Sequence, residues 1–399
     1  MVQCLDRIIA SMDTGVDDAL ALAYLLGSAD ECELSGVIAS YGNVDANTAY
    51  ANTRAVLDLF GRADIPVFLG SEHPSWADAF IPDAGCAQFH GDDGLGNTWL
   101  AGSGALADGA GVPGDMSGDD MSVDVPDGVV SVGGYLAGDV HAHPASGSYP
   151  RVGRSRSVDR PQSATSTALV SGGTRRCSVD AADGIEYLIE QVREFGRDVT
   201  VLATGPLTDV DAAITRAPDI ASKLRLVMMG GTLTQPGNCW DAVAETNIIQ
   251  DPEAANRVFH SGADITMVGL DVTHQCLLTR SAADRWRATG TKRGRFLADL
   301  ADFSIKANLK ADTALFSGGM PLHDPLAAAV ALDSSLVDCF DLALRAETNT
   351  GDFNGVRGRT TGDPVGLVNH SMPHVHVALG VDSGRFLDEF AERMAEVCR

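Results

Sequence analysis

Along most of this chain short apolar runs alternate, in a repeating order, with longer stretches of helical periodicity. Residues 7–12 form an apolar run that leads through Asp13-Thr14-Gly15 into an almost wholly apolar helical stretch at 19–26. The order repeats, with a strand pattern at 34–39, a helix pattern at 47–60 and a strand pattern at 66–69. Further on, 199–203, 224–229 and 265–268 are short β-branched or Met-rich runs with helical stretches between them. Strands that are apolar throughout, rather than at alternate positions, are buried on both faces. Together with the intervening helices they predict an α/β fold, a mostly parallel central sheet with helices on both faces.

The order breaks once. Residues 101–180 hold 14 Gly and 12 Ser and contain no Lys, Glu, Ile or Phe, which leaves too little bulky apolar material for a core. The segment reads as an insertion into a single domain spanning 1–399, either a flexible loop or a lid. Asp residues crowd its first part, 108–139, and Arg residues its second, 151–176. It also contains Gly109-Ala110-Gly111-Val112-Pro113-Gly114, a match to G-x-G-x-x-G. That motif binds dinucleotides only between a strand and a helix, where the helix N-terminus meets the pyrophosphate. Here Pro113 interrupts it and no strand precedes it, so no dinucleotide is expected.

Composition narrows the function. Asp and Glu number 54 against 29 Lys and Arg, for a net charge of −25. A nucleic-acid surface is built from clustered Lys and Arg, so the balance argues against one and favours a neutral or cationic small substrate, or a metal ion. No apolar run reaches the roughly 18 residues of a membrane span, and the first residues lack the pattern of an export signal. The eight cysteines are scattered without a C-x-x-C pair, which predicts free thiols in a reducing cytoplasm.

The densest candidate chemistry is Asp13-Thr14-Gly15-Val16-Asp17-Asp18, three carboxylates in six residues at the end of the first strand. Ligands of an open parallel sheet bind outside the carboxyl ends of its strands. Negative charge in a first helical turn offsets the positive end of the helix dipole, which accounts for Asp17 and Asp18 and leaves Asp13 over. Carboxylates this close repel one another unless a cation sits among them, and hard oxygen donors suit calcium or magnesium. An EF-hand would place Gly sixth and Glu twelfth from Asp13, where this chain has Asp18 and Tyr24. A phosphatase-like nucleophile is excluded by Gly15, which stands where its second Asp would be.

A second candidate is His323-Asp324-Pro325. Asp before Pro reads as a helix start, with the Asp as N-cap and the Pro at the first helical position. Asp251-Pro252 has the same form and is read as a cap alone; what separates the two is His323, an imidazole able to act as a general acid near neutral pH. Gly237-Asn238 followed by Glu245-Thr246-Asn247 puts amides and a carboxylate in series, the donors and acceptors that hold sugar hydroxyls. Tyr41-Gly42-Asn43 and the stretch from His90 to Gly96 follow the second and third strands. No G-x-S-x-G elbow of a serine hydrolase occurs.

In their order these pieces resemble the inosine/uridine-preferring nucleoside hydrolases, calcium-dependent enzymes that cleave ribonucleosides to ribose and free base. The likeness covers residues 5–97 and 183–395 and rests on MDTGVDDALAL, YGNV, HGDDGLG, ATGPLTDV, MMGG, AETN with DPEAA, GLDVTHQ and PLHDPLAAA. It implies a calcium-bound water activated by Asp13, with Asp13, Asp18 and Asp324 as carboxylate ligands of Ca2+ and Thr204 as a carbonyl ligand. It implies that Asp17, Asn43, Asn238, Glu245 and Asn247 hold the ribose, that Met229 packs against it, that His323 is the acid near the leaving base, and that His90 is a second imidazole from a mobile loop. A nucleoside substrate, no nucleic-acid or membrane partner, and a homodimer or homotetramer are implied likewise. The chain departs from the pattern at Ser11, where the family has a further Asp, at Thr14 in place of Pro, and at Thr246 in place of an aromatic; residues 304–320 also lack the Tyr that many relatives place against the base. A catalytically silent calcium- and nucleoside-binding protein is the alternative these departures raise, and hydrolysis of a modified ribosyl compound is another.

Overall fold

The structure, a computed structural model, describes residues 5–82, 84–98, 183–239, 243–350, 356–363 and 372–399. The insertion at 101–180, with its G-x-G-x-x-G match and its reading as a loop or lid, lies outside the described residues. The first part of the chain runs β1 (Asp6–Met12), α1 (Val16–Gly27), β2 (Cys32–Ala39), α2 (Ala46–Leu59), β3 (Val67–Leu69) and α3 (Ala84–His90). After the insertion come α4 (Gly184–Phe195), β4 (Val199–Ala203), α5 (Thr208–Arg216), β5 (Arg225–Met229), α6 (Thr246–Gln250), α7 (Pro252–Phe259), β6 (Asp264–Val268) and α8 (Leu270–Thr273). The remainder is β7 (Leu277–Leu278), α9 (Arg280–Ala288), α10 (Lys292–Ala311), β8 (Met320–Pro321), α11 (His323–Leu332), β9 (Val337–Ala346), β10 (Thr360–Asp363), β11 (Val375–Val381) and α12 (Ser383–Val397).

Nine strands join in the order β10-β9-β11-β6-β5-β4-β1-β2-β3. Pairs from β11 to β3 are all parallel, whereas β9 runs antiparallel to both β11 and β10 at one edge. The sheet is therefore mostly parallel, as the apolar runs predict. Helices cover both faces. Ile8, Ala10 and Met12 of β1 enter the core that takes α1, α11 and α12, while Ile9 enters the opposite core with α4, α5 and α7. Period-two alternation with a core on each side is why the run has to be apolar at every position. Helix α1 is buried from Val16 through Leu25, and it starts three residues before its apolar pattern because Asp17 and Asp18 themselves form the first turn.

The chain passes from β1 outward through β2 and β3, then returns to the other side of β1 as β4. At such a reversal the loops leaving the two strands diverge, one to each face, and a crevice opens outside their carboxyl ends. Asp13 and Thr204, the residues that directly follow β1 and β4, stand at its mouth.

Candidate active site

Asp13 is wholly buried in this crevice. Its Oδ2 accepts the Asn43 N–H at 2.7 Å, and its Oδ1 is buried without a hydrogen-bond partner. Gly42 is needed beside that donor, because a Cβ there would collide with the Asp13 carboxylate. Asp18 is equally buried: Oδ2 accepts Gly15 N–H at 2.8 Å and Asn43 Nδ2 at 3.3 Å, and Oδ1 accepts the Thr204 hydroxyl at 2.6 Å. Since Gly15 is the N-cap of α1, Asp18 both caps the helix and faces the crevice.

Asp324 arrives from α11, and here the structure corrects the sequence reading. It is not an N-cap: α11 starts one residue earlier, at His323, and Leu322 in the cap position makes no side-chain cap bond. Pro325 is tolerated at the third position because the N–H groups of a first turn have no partner within the helix. Freed from capping, the Asp324 carboxylate joins Asp17 and Asp18, with one oxygen from each lying within 4.8 Å of the others. Asp13 stands outside this tightest trio, yet close enough that Asp18 raises its pKa and that it raises the pKa of Asp324. Asp251, by contrast, is a cap as read, accepting Ala254 N–H at 3.0 Å.

Burial sets the protonation of this cluster. It pushes Asp17 and Asp18 each up to about 6. Asp13 and Asp324 are raised well above the usual carboxylate range, by burial first and then by the charge of Asp18 and of Asp17 respectively. Among the described residues no Lys or Arg forms an ion pair with any of the four; His90 Nδ1 lies 3.7 Å from Asp17 Oδ1, and burial pushes that imidazole down to about 4, so it brings no charge near neutral pH.

Two imidazoles, His90 and His323, border the carboxylates, and a third, His274, adjoins His323. His90 ends α3, and its Nδ1 accepts the Val16 N–H at 3.2 Å; Gly15 must lack a Cβ for the ring to come this close. His323 Nδ1 lies 2.8 Å from Thr273 Oγ1, and burial, followed by His274 and His90, holds its pKa well below the ordinary value. His274 was not among the sequence candidates, although it sits in GLDVTHQ. Its ring lies 5.7 Å from that of His323 and 5.5 Å, edge-on, from Phe316, and both its nitrogens are buried without a partner.

Asn247 Nδ2 donates to the carbonyls of Thr204 at 2.8 Å and Met229 at 3.2 Å, tying together the ends of β4 and β5. Glu245 and Asn238 are engaged in the loop they build. Glu245 accepts N–H groups of Gly231, Asn247 and Ile248, and Asn238 Oδ1 accepts the N–H and hydroxyl of Thr246. At the Ser11 departure the hydroxyl donates to Asp209 Oδ2 at 3.0 Å, on α5. Ser11 thus belongs to a separate buried network and removes no carboxylate from the cluster.

The model of the inosine-uridine preferring nucleoside hydrolase family matches residues 8–388. A pyrimidine-specific ribonucleoside hydrolase of Enterobacter sp. (strain 638) is 30% identical over 390 residues, covering 98% of this chain and 97% of that protein. Among solved structures, a purine-preferring ribonucleoside hydrolase from Gardnerella vaginalis superposes with a TM-score of 0.73 at 34% identity, over 98% of this chain and 99% of the other. A plant nucleoside hydrolase superposes with a TM-score of 0.73 at 27% identity, with the same coverage of 98% and 99%.

Proposed function

The chain belongs to the inosine-uridine preferring nucleoside hydrolase family, and from that premise we propose that it hydrolyses the N-glycosidic bond of ribonucleosides with calcium in the carboxylate crevice and Asp13 as the base. That it is a ribonucleoside hydrolase follows from the family; the metal and the residue roles are carried over from the resemblance, and the geometry of the crevice supports them.

The donor set fits a hard divalent cation. Among the described residues the four buried carboxylates have no Lys or Arg partner, and Asp13 Oδ1 and Asp17 Oδ1 are buried without a hydrogen bond. Asp13, Asp18 and Asp324 would hold the ion, together with the Thr204 carbonyl, which accepts one bond from Asn247 and keeps a second lone pair. When bound, calcium supplies the positive charge that keeps these carboxylates ionised, and it orients the attacking water and the ribose hydroxyls.

Asp13 is built as a base. The Asn43 N–H pins Oδ2, and Oδ1 is left to take a proton from water. Cleavage of a ribosyl C–N bond builds oxocarbenium-like positive charge on the sugar, which the buried carboxylate of Asp17 opposes. Asp17 and Asn43 face the ribose hydroxyls, and Asn247, Glu245, Asn238 and Met229 form the wall behind the sugar. His323 and His90 donate hydrogen bonds from the other side, His323 to the departing base. We also read the protein as a cytoplasmic homodimer or homotetramer without nucleic-acid or membrane partners. Among the described residues Cys32, Cys276, Cys339 and Cys398 are free thiols, which supports the compartment; the assembly rests on resemblance alone. Among the described residues no helix is long and apolar enough to cross a membrane.

The observation that carries the reading is the crevice of buried carboxylates that have no Lys or Arg partner among the described residues. The names of the relatives divide between pyrimidine and purine bases, so the test uses both. Ribose release from inosine, guanosine, uridine and cytidine is measured with calcium, after chelation and after calcium is restored. Turnover that disappears with the chelator and returns with the ion is expected. Calcium-independent turnover would end the metal assignment, and no reducing sugar from any of the four would end the hydrolytic one.

A further inference from the structure

We propose that Thr273 is a positioning residue that fixes the tautomer of His323, placing its ring hydrogen on Nε2 for donation to the departing base; this rests on the reading of His323 as the group beside that base. Thr273 ends α8 and is wholly buried. Its backbone N–H goes to the Gly269 carbonyl at 3.1 Å, and among the described residues its hydroxyl has one partner, His323 Nδ1 at 2.8 Å. A buried hydroxyl has one hydrogen and must place it on an acceptor. If Nδ1–H were the donor, the Thr273 hydrogen would be left in a closed interior with nothing to receive it. Both groups are satisfied only when the hydroxyl donates and Nδ1 accepts, which leaves the ring hydrogen on Nε2.

His90 shows the same device with a donor whose direction is not in doubt. Its Nδ1 accepts the Val16 N–H at 3.2 Å, and a backbone amide only donates, so His90 carries its hydrogen on Nε2 as well. His274 is the internal contrast, with no partner on either nitrogen to select a tautomer. Two of the three imidazoles are therefore preset as donors on the ring nitrogen turned away from their anchors.

The preset matters when the C1′–N bond breaks. The bonding electron pair moves onto the base, and His323 Nε2–H hydrogen-bonds to the base atom that gathers this charge. Water oxygen bonds to C1′ and keeps one hydrogen; the other passes to Asp13, which releases it to solvent, and the departing base takes one proton from solvent, so nucleoside plus water gives ribose plus base and both Asp13 and His323 end as they began. In the opposite tautomer a lone pair on Nε2 would face the electron-rich leaving group and repel it.

Thr273→Val keeps the shape of the side chain and removes the hydroxyl, and Thr273→Ser restores it. Each is assayed on uridine, on inosine and on a 4-nitrophenyl riboside, whose phenolate leaves unaided. Thr273→Val is expected to lower kcat on the nucleosides about 10–100-fold with KM within about threefold, and to keep turnover of the nitrophenyl riboside within about threefold. Thr273→Ser should recover most of the nucleoside rate. Long-range 1H–15N spectra should show an unprotonated Nδ1 at His323 in the wild type and mixed tautomers in Thr273→Val. An unchanged nucleoside kcat in Thr273→Val, or an equal fall on both substrate classes, overturns the proposal. His323→Phe separates the two levels. If it leaves nucleoside turnover intact, the role of His323 itself is wrong, whereas a collapse there beside an unaffected Thr273→Val condemns the tautomer assignment alone.

Discussion

Two groups of buried acids lie on either side of β1, and they are treated oppositely. Asp209, Asp211 and Asp251 belong to the network on the α5 and α7 side, where every carboxylate oxygen has a donor. Asp209 takes Ser71 N–H at 2.6 Å and the Ser11 hydroxyl at 3.0 Å. Asp211 takes both arms of the Arg257 guanidinium, at 2.8 and 2.7 Å. Asp251 takes the N–H and hydroxyl of Ser75, the Thr208 hydroxyl and the Ala254 N–H. In the crevice, Asp13 and Asp17 each keep a buried oxygen that has no donor among the described residues. Burial of an acid therefore does not by itself mark a site, since these three are buried with every oxygen served. An oxygen left unsatisfied at the switch point of the sheet is one reserved for something that binds.

The largest expected effect separates the groups by function. Asp13→Ala should reduce kcat on the best nucleoside by roughly 10³-fold or more while circular dichroism reports an intact fold. Asp209→Asn, equally buried in the first turn of α5, should keep kcat within about threefold, since its partners hold structure only. A comparable loss of activity in both variants would erase the distinction.

Next in size is the pair of Asp-Pro motifs. Asp324→Asn should weaken calcium binding, measured by titration calorimetry, on the order of 100-fold, by removing one charged oxygen ligand. Asp251→Asn should leave that affinity within about threefold but lower stability by roughly 1–3 kcal/mol, seen in the urea midpoint, because it strips acceptors from buried donors. If the two variants behaved alike, the helix-start difference between them would have no functional meaning.

That pair also marks how far the sequence could be read. Strands β1 to β6 of the parallel sheet are legible because burial on both faces leaves an uninterrupted apolar signal, whereas β11, which pairs parallel with β6, is not read from the sequence; Asp13, Asp17 and Asp18 are legible because their convergence is local. Asp251 and Asp324 present the same dipeptide, and capping chemistry alone cannot tell them apart. What differs is where each helix begins; at α11 the Leu322 N–H bonds the Cys276 carbonyl and His323 meets Thr273, contacts made with parts of the chain about 50 positions away that no local pattern displays. Ser11 and Asp209 are 198 positions apart, so no local pattern could explain the departure at Ser11. His274 stood in a matched motif but offered no spacing signal; only its two unsatisfied nitrogens single it out. The antiparallel edge escaped as well, since β9 exposes Asp338 through Asp341 and loses the apolar run that marks the other strands.

The smallest effect concerns protons and calcium. Asp17 and Asp18 are pushed up to about 6 in the fold, from about 4 in an unfolded chain. Between those values the calcium-free folded protein holds protons that the unfolded chain has released. The stability they confer is complete below about pH 4 and is lost as pH rises through about 6. Calcium provides the charge that the departing protons leave uncompensated, so the gain in Tm on adding it should grow from pH 4.5 to pH 7.5, reaching a few degrees at saturation. Asp18→Asn should flatten this growth. Asp209→Asn should preserve it: burial raises that carboxyl too, but Ser11 and Ser71 serve it and it has no place for the ion. Scanning calorimetry with chelator and with calcium decides the matter. A calcium increment independent of pH would mean that protons and cation do not compete for the crevice, and the unsatisfied oxygens would then need another explanation than a bound metal.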